Sequence, residues 1–376
     1  MALVMWACWD GGGNLTPSLG IAEALRERGH EVWFFGRPDM VERVRATGAG
    51  ATELTHAWTD QERYAFHPLR TVFGYTSSPT VGAELVDACD RVRPDVVVID
   101  AMFSAALQVA PAYGRPTVVM LHTLFHNHLD MWRANFAMQS ESRQRAGFDQ
   151  LAGIEELWGG RDVLHVNALR ALDGEPAVDW ANIVHGAPVL ASERRAVAVD
   201  VPWAVSDPTP VVLLSFSTVA EQRDPAMVQT ALDALATLAV HVVATTGGIV
   251  DPDDLDVPAN AAVFPFADHE QLMSRASLVV GHGGHGTTMR ALRRGIPLVG
   301  IPAKGGDQAP NLEVVAARGA GLALPPDADT GAIRGAALQV LGDDGFARAA
   351  RRVAALFPDA DGAPLAADSI EAALAV

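Results

Sequence analysis

Short apolar runs alternate with amphipathic stretches along most of this chain, and glycine or proline marks nearly every change between them. Leu3 to Cys8 is apolar throughout, Asp10 to Asn14 is a glycine loop, and Pro17 to Arg28 repeats its apolar positions at helical spacing until Gly29. A buried strand followed by a helix explains that pattern. Glu31 to Phe35 then reads as a second strand, and Pro38 to Thr47 as a second helix closed by Gly48. Asp95 to Asp100, with Val-Val-Val-Ile between its aspartates, is a buried strand. Phe103 to Tyr113 reads as a helix interrupted by Pro111, and Pro116 to Leu121 as the next strand. From about His122 to Gly160 the pattern is helical but irregular, with clustered aromatic residues.

The proline-rich stretch 201–210 breaks the alternation and is the expected linker. Beyond it, Val211 to Ser215 predicts a strand, Asp224 to Leu238 a helix, and Val240 to Thr245 a strand running into Gly247 and Gly248. Leu278 to Gly281 is a further buried strand, Met289 to Arg294 is helical until Gly295, and Ile296 to Ile301 begins the next strand. Strands alternating with helices predict α/β architecture with parallel, doubly wound, Rossmann-like sheets. The expected division is an N-terminal domain 1–200, a linker 201–210, a second domain 211–360, and a C-terminal tail 361–376 that forms a helix.

A length of 376 residues, nearly half of them apolar, suits two domains with separate cores. The formal net charge of −17 argues against nucleic acid and anionic membrane surfaces as partners. The two cysteines, Cys8 and Cys89, fit a reducing, cytoplasmic setting. The apolar opening Met1 to Trp9 lacks a basic flank and is cut short by Asp10, so it reads as a strand and not a signal peptide. All eight tryptophans and all three tyrosines precede residue 211. An aromatic-rich half suits a flat apolar ligand; different cores would give the same asymmetry.

The strand ending at Gly281 runs into His282-Gly283-Gly284-His285-Gly286-Thr287-Thr288 and then a helix. That order presents bare backbone N–H groups at the positive end of a helix dipole, which is chemistry for a phosphate. The glycines let an anion approach, Thr287 and Thr288 offer hydroxyl donors, and His282 offers a donor or a positive charge. Because the whole chain is acidic, a diphosphate must be met by such local donors.

The run His282-Gly-Gly-x-Gly-Thr, the following Gly295-Ile296-Pro297, and then Asp307-Gln308 and Asn311 resemble the donor signature of inverting nucleotide-sugar glycosyltransferases of family 1, GT-B fold, antibiotic and natural-product branch. The resemblance implies two Rossmann-like domains with a cleft between them, a nucleotide-sugar donor in the second, a small-molecule aglycone acceptor in the first, and no metal or other cofactor. It assigns Gly283, Gly284, Gly286 and Thr287 to the diphosphate with His282. It makes Asp307 and Gln308 contacts of the transferred sugar, Phe266 a stacking partner of the base, and Thr218 a further donor-site residue. The tripeptide Asp251-Pro252-Asp253 matches a metal-binding DxD only formally and reads as an acidic turn.

Two departures carry content. Arg290 stands where relatives using uridine donors carry glutamate; a guanidinium has no acceptor for two ribose hydroxyls, which points to a dTDP-sugar. Asn14 stands where the related pattern has its catalytic histidine, and a carboxamide is no general base. Asp100 matches the aspartate that orients that histidine; as a plain structural residue it would cap the next helix. Asp100 and Asn14 are therefore the catalytic candidates, and His122, His126 and Trp132 the acceptor-side ones. Three chemistries stay open: Asp100 as base, an acceptor needing little activation, or a base from the run His122 to His128. The expected function is inverting transfer of a (deoxy)sugar from dTDP to an aglycone such as an aromatic polyketide, with C- or O-linkage open. The alternatives are a nucleotide-sugar epimerase of the same fold, or a non-catalytic partner protein. A homodimer is compatible with all of these.

Overall fold

The computed structural model describes residues 1–55, 75–134, 136, 144, 151–190, 199–204, 206–217, 222–303 and 306–375. The chain divides into two compact units, Met1–Ala191 with Ala360–Val376, and Ser192–Asp359. The expected linker 201–210 thus falls inside the second unit, and the C-terminal segment joins the first instead of forming a separate tail.

The first unit is a parallel sheet in the order β3-β2-β1-β4-β5-β6-β7. Its central strands are β1 (Leu3–Ala7), β4 (Val96–Asp100) and β5 (Thr117–Leu121); β2 (Glu31–Gly36) and β3 (Gly50–Glu53) lie on one side, β6 (Val163–Val166) and β7 (Ile183–His185) on the other. Every residue of β4 and β5 is buried. That is why they read as unbroken apolar runs instead of alternating ones. Helix α1 (Leu15–Glu27) begins two residues before the expected Pro17, since a proline is tolerated in a first turn. Helix α2 is Pro38–Arg45 and α3 is Pro79–Val92, capped by the Ser78 side chain. The expected helix Phe103 to Tyr113 splits into α4 (Ser104–Gln108) and a 3₁₀ turn Ala110–Tyr113, because Pro111 has no N–H for an α-helical bond. Helix α5 is Ile154–Trp158.

The second unit has the parallel order β10-β9-β8-β11-β12-β13. These strands are β8 (Val211–Ser215), β9 (His241–Thr245), β10 (Ala261–Phe264), β11 (Ala276–Gly281), β12 (Leu298–Gly300) and β13 (Gly321–Ala323). Between them run α6 (Pro225–Leu235), α7 (His269–Met273), α8 (His285–Arg293), α9 (Gln308–Ala317), α10 (Thr330–Gly342) and α11 (Asp344–Ala354). Its core is aliphatic, with Val212, Leu214, Leu232, Val242, Val280 and Ile333 among the buried side chains. The segment Asp251-Pro252-Asp253 is a turn closed by its own Asp251 carboxylate, which accepts the Asp253 N–H at 3.1 Å.

The last helix, α12 (Gly362–Ala373), packs on α1. It buries Ala363, Ala366, Ala367, Ile370 and Ala373 in the core that holds Trp6, Ile21 and Phe34. Full burial of Ile370 contributes about 1.5–3 kcal/mol, more than the exposed Arg28 pairs with Asp368 and Glu371 can.

Candidate functional site

An open parallel sheet binds ligands beyond the carboxyl ends of its strands, where the strand order reverses. In the first unit that point lies between β1 and β4, and in the second between β8 and β11. Each switch point carries predicted site residues: Asn14 and Asp100 in the first, His282 and the glycine turn in the second.

In the second unit β11 lies so close to β8 that a Cβ on Gly281 would sit 2.2 Å from the Ser215 carbonyl oxygen. Gly283 has φ +84°, and its Cβ would meet Leu312 of α9 at 2.6 Å, so no other residue fits there comfortably. Helix α8 starts at His285, four residues before the Met289 expected from periodicity, with Gly284 as an N-cap that supplies no side-chain bond. Its first turn is therefore left to backbone N–H groups, with Gly286 and Thr287 partly exposed at its head. Thr288 faces inward: it is buried, and its hydroxyl meets no partner among the described residues.

His282 Nδ1 lies 3.4 Å from the Ser215 carbonyl. When Nδ1–H donates there, the neutral ring presents Nε2 as an acceptor. Burial holds its pKa below the usual histidine range, partly offset by that bond and by Asp307. His282 serves an anion as a donor only after taking up a proton. Asn311 ties α9 to the turn through its amide, 3.1 Å from the Gly283 carbonyl and 3.3 Å from Asp307 Oδ2. Gln308 is buried, with Oε1 accepting from Ala303 N (2.7 Å) and Nε2 donating to Gln222 Oε1 (2.9 Å). Beside His282 a cavity of about 50 Å³ is walled largely by Phe216, Met227, Val228, Ile249, Val250 and Ile301, with Ser217, Gln222, Asp224 and Thr246 also on its lining. Phe266 is partly buried against Gly248, whose Cβ would lie 2.9 Å from the ring. Thr218 lies outside the described residues.

In the first unit Asp100, at the end of β4, is 3 % exposed. Its Oδ1 accepts from Trp9 Nε1 (3.0 Å) and Met102 N (2.9 Å), and its Oδ2 from Asn14 Nδ2 (3.0 Å). Burial raises its pKa against the opposing effect of those three bonds. Asn14 spends its amide fully: Nδ2 also donates to Trp9 O (2.9 Å), and Oδ1 accepts from Gly11 N (2.8 Å). His122 follows β5 and reaches within 4.0 Å of Asp100 Oδ2. Its Nε2 is 3.1 Å from Ser18 Oγ and its Nδ1 3.0 Å from Asn167 Nδ2. The structure thus gathers Asn14, Asp100 and His122 at one place, together with Trp9, Ser18 and Asn167, which sequence reasoning missed. Trp9 follows β1 and Asn167 follows β6, whereas Ser18 lies in the first turn of α1, so position after a strand could have signalled only the first two.

His126 stands elsewhere, in a cluster with Asp173 and His185 whose ligand-type atoms lie within 4.8 Å of one another. His185 Nε2 donates to Asp173 Oδ2 at 2.7 Å, and the Ala177 N–H donates to His126 Nδ1 at 3.2 Å, which leaves the neutral His126 ring its proton on Nε2. In that state neither His126 Nδ1 nor His185 Nε2 offers a free lone pair. Trp132 is buried beside Trp158 (5.4 Å between ring centroids), with its indole N–H donating to Leu124 O. It lines a small cavity with Ala101, Met102, Ile154 and Leu157.

The two parallel sheets, each with candidate residues at its switch point, define a two-unit, Rossmann-like α/β architecture. Residues 229–366 match the erythromycin biosynthesis protein CIII-like C-terminal domain, and residues 18–150 match glycosyltransferase family 4. The chain is 25 % identical to demethyllactenocin mycarosyltransferase of Streptomyces fradiae, across 100 % of this chain and 87 % of that one. Among solved structures it is similar to the calicheamicin glycosyltransferase CalG4 (TM-score 0.77, 22 % identity, 100 % of this chain and 98 % of that). It is also similar to the spinosyn rhamnosyltransferase SpnG complexed with thymidine diphosphate (TM-score 0.74, 20 % identity, 99 % and 100 %). The chain is a glycosyltransferase of the GT-B fold, and its relatives are family 1 enzymes of antibiotic and natural-product pathways. Among the described residues no helix is long and apolar enough to cross a membrane.

Proposed function

We propose that the chain transfers a deoxysugar from a dTDP-sugar to a natural-product aglycone, with inversion at the anomeric carbon and without a metal. The observation that carries this reading is the glycine turn at the second switch point, which heads α8 with no side-chain cap. A diphosphate leaving group gains negative charge as its bond to the anomeric carbon breaks, and fixed N–H donors stabilise that charge. Support for thymidine comes from Arg290, which offers no acceptor to a ribose diol, and from the neighbour that carries thymidine diphosphate. Support for a deoxygenated sugar comes from the largely apolar cavity beside His282 and from Gln308, whose amide is already committed to Ala303 and Gln222.

On the acceptor side the loop position nearest Asp100 is held by an amide with no proton-accepting capacity. An electron-rich ring carbon or an acidic phenol, as on an aromatic polyketide, meets that site without a strong base. The buried Asp100 carboxylate then acts through its charge, stabilising the positive charge that develops on the attacking acceptor. The test incubates the protein with dTDP-deoxysugars and aromatic acceptors and determines the product by NMR. An inverted glycoside formed with one equivalent of dTDP is expected. Donor turnover without acceptor, as by an epimerase, contradicts the reading. So does transfer that begins only when a companion protein is added.

A further inference from the structure

Trp9 follows β1, and both its main chain and its ring are tied to the pair at the first switch point. Its carbonyl accepts from Asn14 Nδ2 (2.9 Å), and its indole Nε1 donates to Asp100 Oδ1 (3.0 Å). One residue therefore holds both the amide and the carboxylate. The ring is seated on the glycine loop: a Cβ on Gly11 would lie 2.4 Å from Trp9 Cη2, so the loop needs glycine there to admit the indole. Burial works against the charge on Asp100; the bonds from Asn14, Met102 N and Trp9 work for it. The ionisable groups around Asp100 lend it no positive charge. The Cys8 thiol, pushed well up by burial and by Asp100 itself, stays neutral, and the Arg43 guanidinium is engaged by Asp10. Ser18 Oγ gives its one proton to Asn14 O (2.8 Å), so it accepts from His122 Nε2 (3.1 Å). Asn167 Nδ2 donates to His122 Nδ1 (3.0 Å), which satisfies that imidazole in its neutral form.

We propose that Trp9 is a positioning residue for the transfer reaction: its indole N–H fixes the Asp100 carboxylate and sustains the charge through which Asp100 acts. The assignment rests on the acceptor-side reading above and deepens it. With an amide in place of a base, a protonated Asp100 has nothing to offer a cationic acceptor, so turnover must follow its ionisation.

The test is the pH dependence of kcat for wild type and Trp9→Phe, using a dTDP-deoxysugar and an aromatic acceptor that give product in the assay above, together with ¹H–¹⁵N NMR of the indole N–H groups. Phenylalanine keeps a ring beside Gly11 and removes the donor. A carboxylate that loses a donor takes up a proton more readily, so the acid limb of kcat should move up by about 1 pH unit, with KM unchanged and kcat recovered at higher pH. Of the eight tryptophan indole resonances, the one missing from Trp9→Phe should titrate in wild type with the midpoint of that limb. Should Trp9→Phe not fold, one indole resonance that follows the limb in wild type and loses that response in Asp100→Asn supports the assignment, and none following it overturns it. A limb left in place, or a kcat lowered equally at every pH, overturns the role of Trp9 and leaves the charge of Asp100 standing. A wild-type kcat with no acid limb overturns the charge reading itself, and absence of product from wild type overturns the transfer reading with it.

Discussion

Asn14 accepts one backbone N–H and donates twice, to Trp9 O and to Asp100. It both closes the glycine loop and supplies the carboxylate with a hydrogen bond. Solvent access to Asp100 is blocked by the same groups, since Trp9 and Asn14 both donate to the carboxylate and only 3 % of the residue is exposed. Restoring a base is therefore a sharper probe than removing the amide. Asn14→His should gain transfer to aliphatic alcohols that wild type glycosylates poorly. Asp100→Asn should lower kcat about 10²-fold with little change in KM, the usual size of a lost preorganised charge. Both are read from initial rates, with circular dichroism to verify folding. An Asp100→Asn protein that folds and keeps its kcat removes the carboxylate from the account.

At the scale of elements, one buried imidazole bonds α12 to β6. His165 on β6 is fully buried, with Nδ1 2.8 Å from Ser369 Oγ of α12, and a Cβ on Gly186 would lie 2.7 Å from its Nε2. Burial and the neighbouring His185 push its pKa down to about 4. Because the folded pKa lies below the unfolded one, this site's stability is complete above about pH 6.5 and is lost as pH falls toward 4. The loss is on the order of 3 kcal/mol. His165→Gln should flatten the fall in Tm between pH 6.5 and 4, and an unchanged slope would assign the acid sensitivity elsewhere. The elements around the switch points were legible because β4, β5 and β11 are unbroken apolar runs and because glycines mark the turn after β11. The docking of α12 was not, since an alanine-rich face fits many surfaces and its partners lie about the whole chain away. Separations of 91 and 86 residues likewise hid the Trp9–Asp100 bond and the pairing of Gln222 with Gln308. The break in the helix after Phe103 was legible because Pro111 marks it.

On the scale of the whole molecule, both units place their candidate residues where strand order reverses, one with an amide–carboxylate pair and one with an uncapped glycine turn. A chain of net charge −17 repels a diphosphate at long range, so affinity must come from the turn and from the nucleoside contacts. On the proposed reading, Arg290 favours a nucleoside with one sugar hydroxyl over one with two, because it offers a diol no acceptor. The most direct measurement is a calorimetric competition between dTDP and UDP for the wild-type protein at neutral pH. The account predicts that dTDP binds at least several-fold more tightly, in keeping with about 1 kcal/mol from nucleoside contacts. Equal or tighter binding of UDP would contradict it.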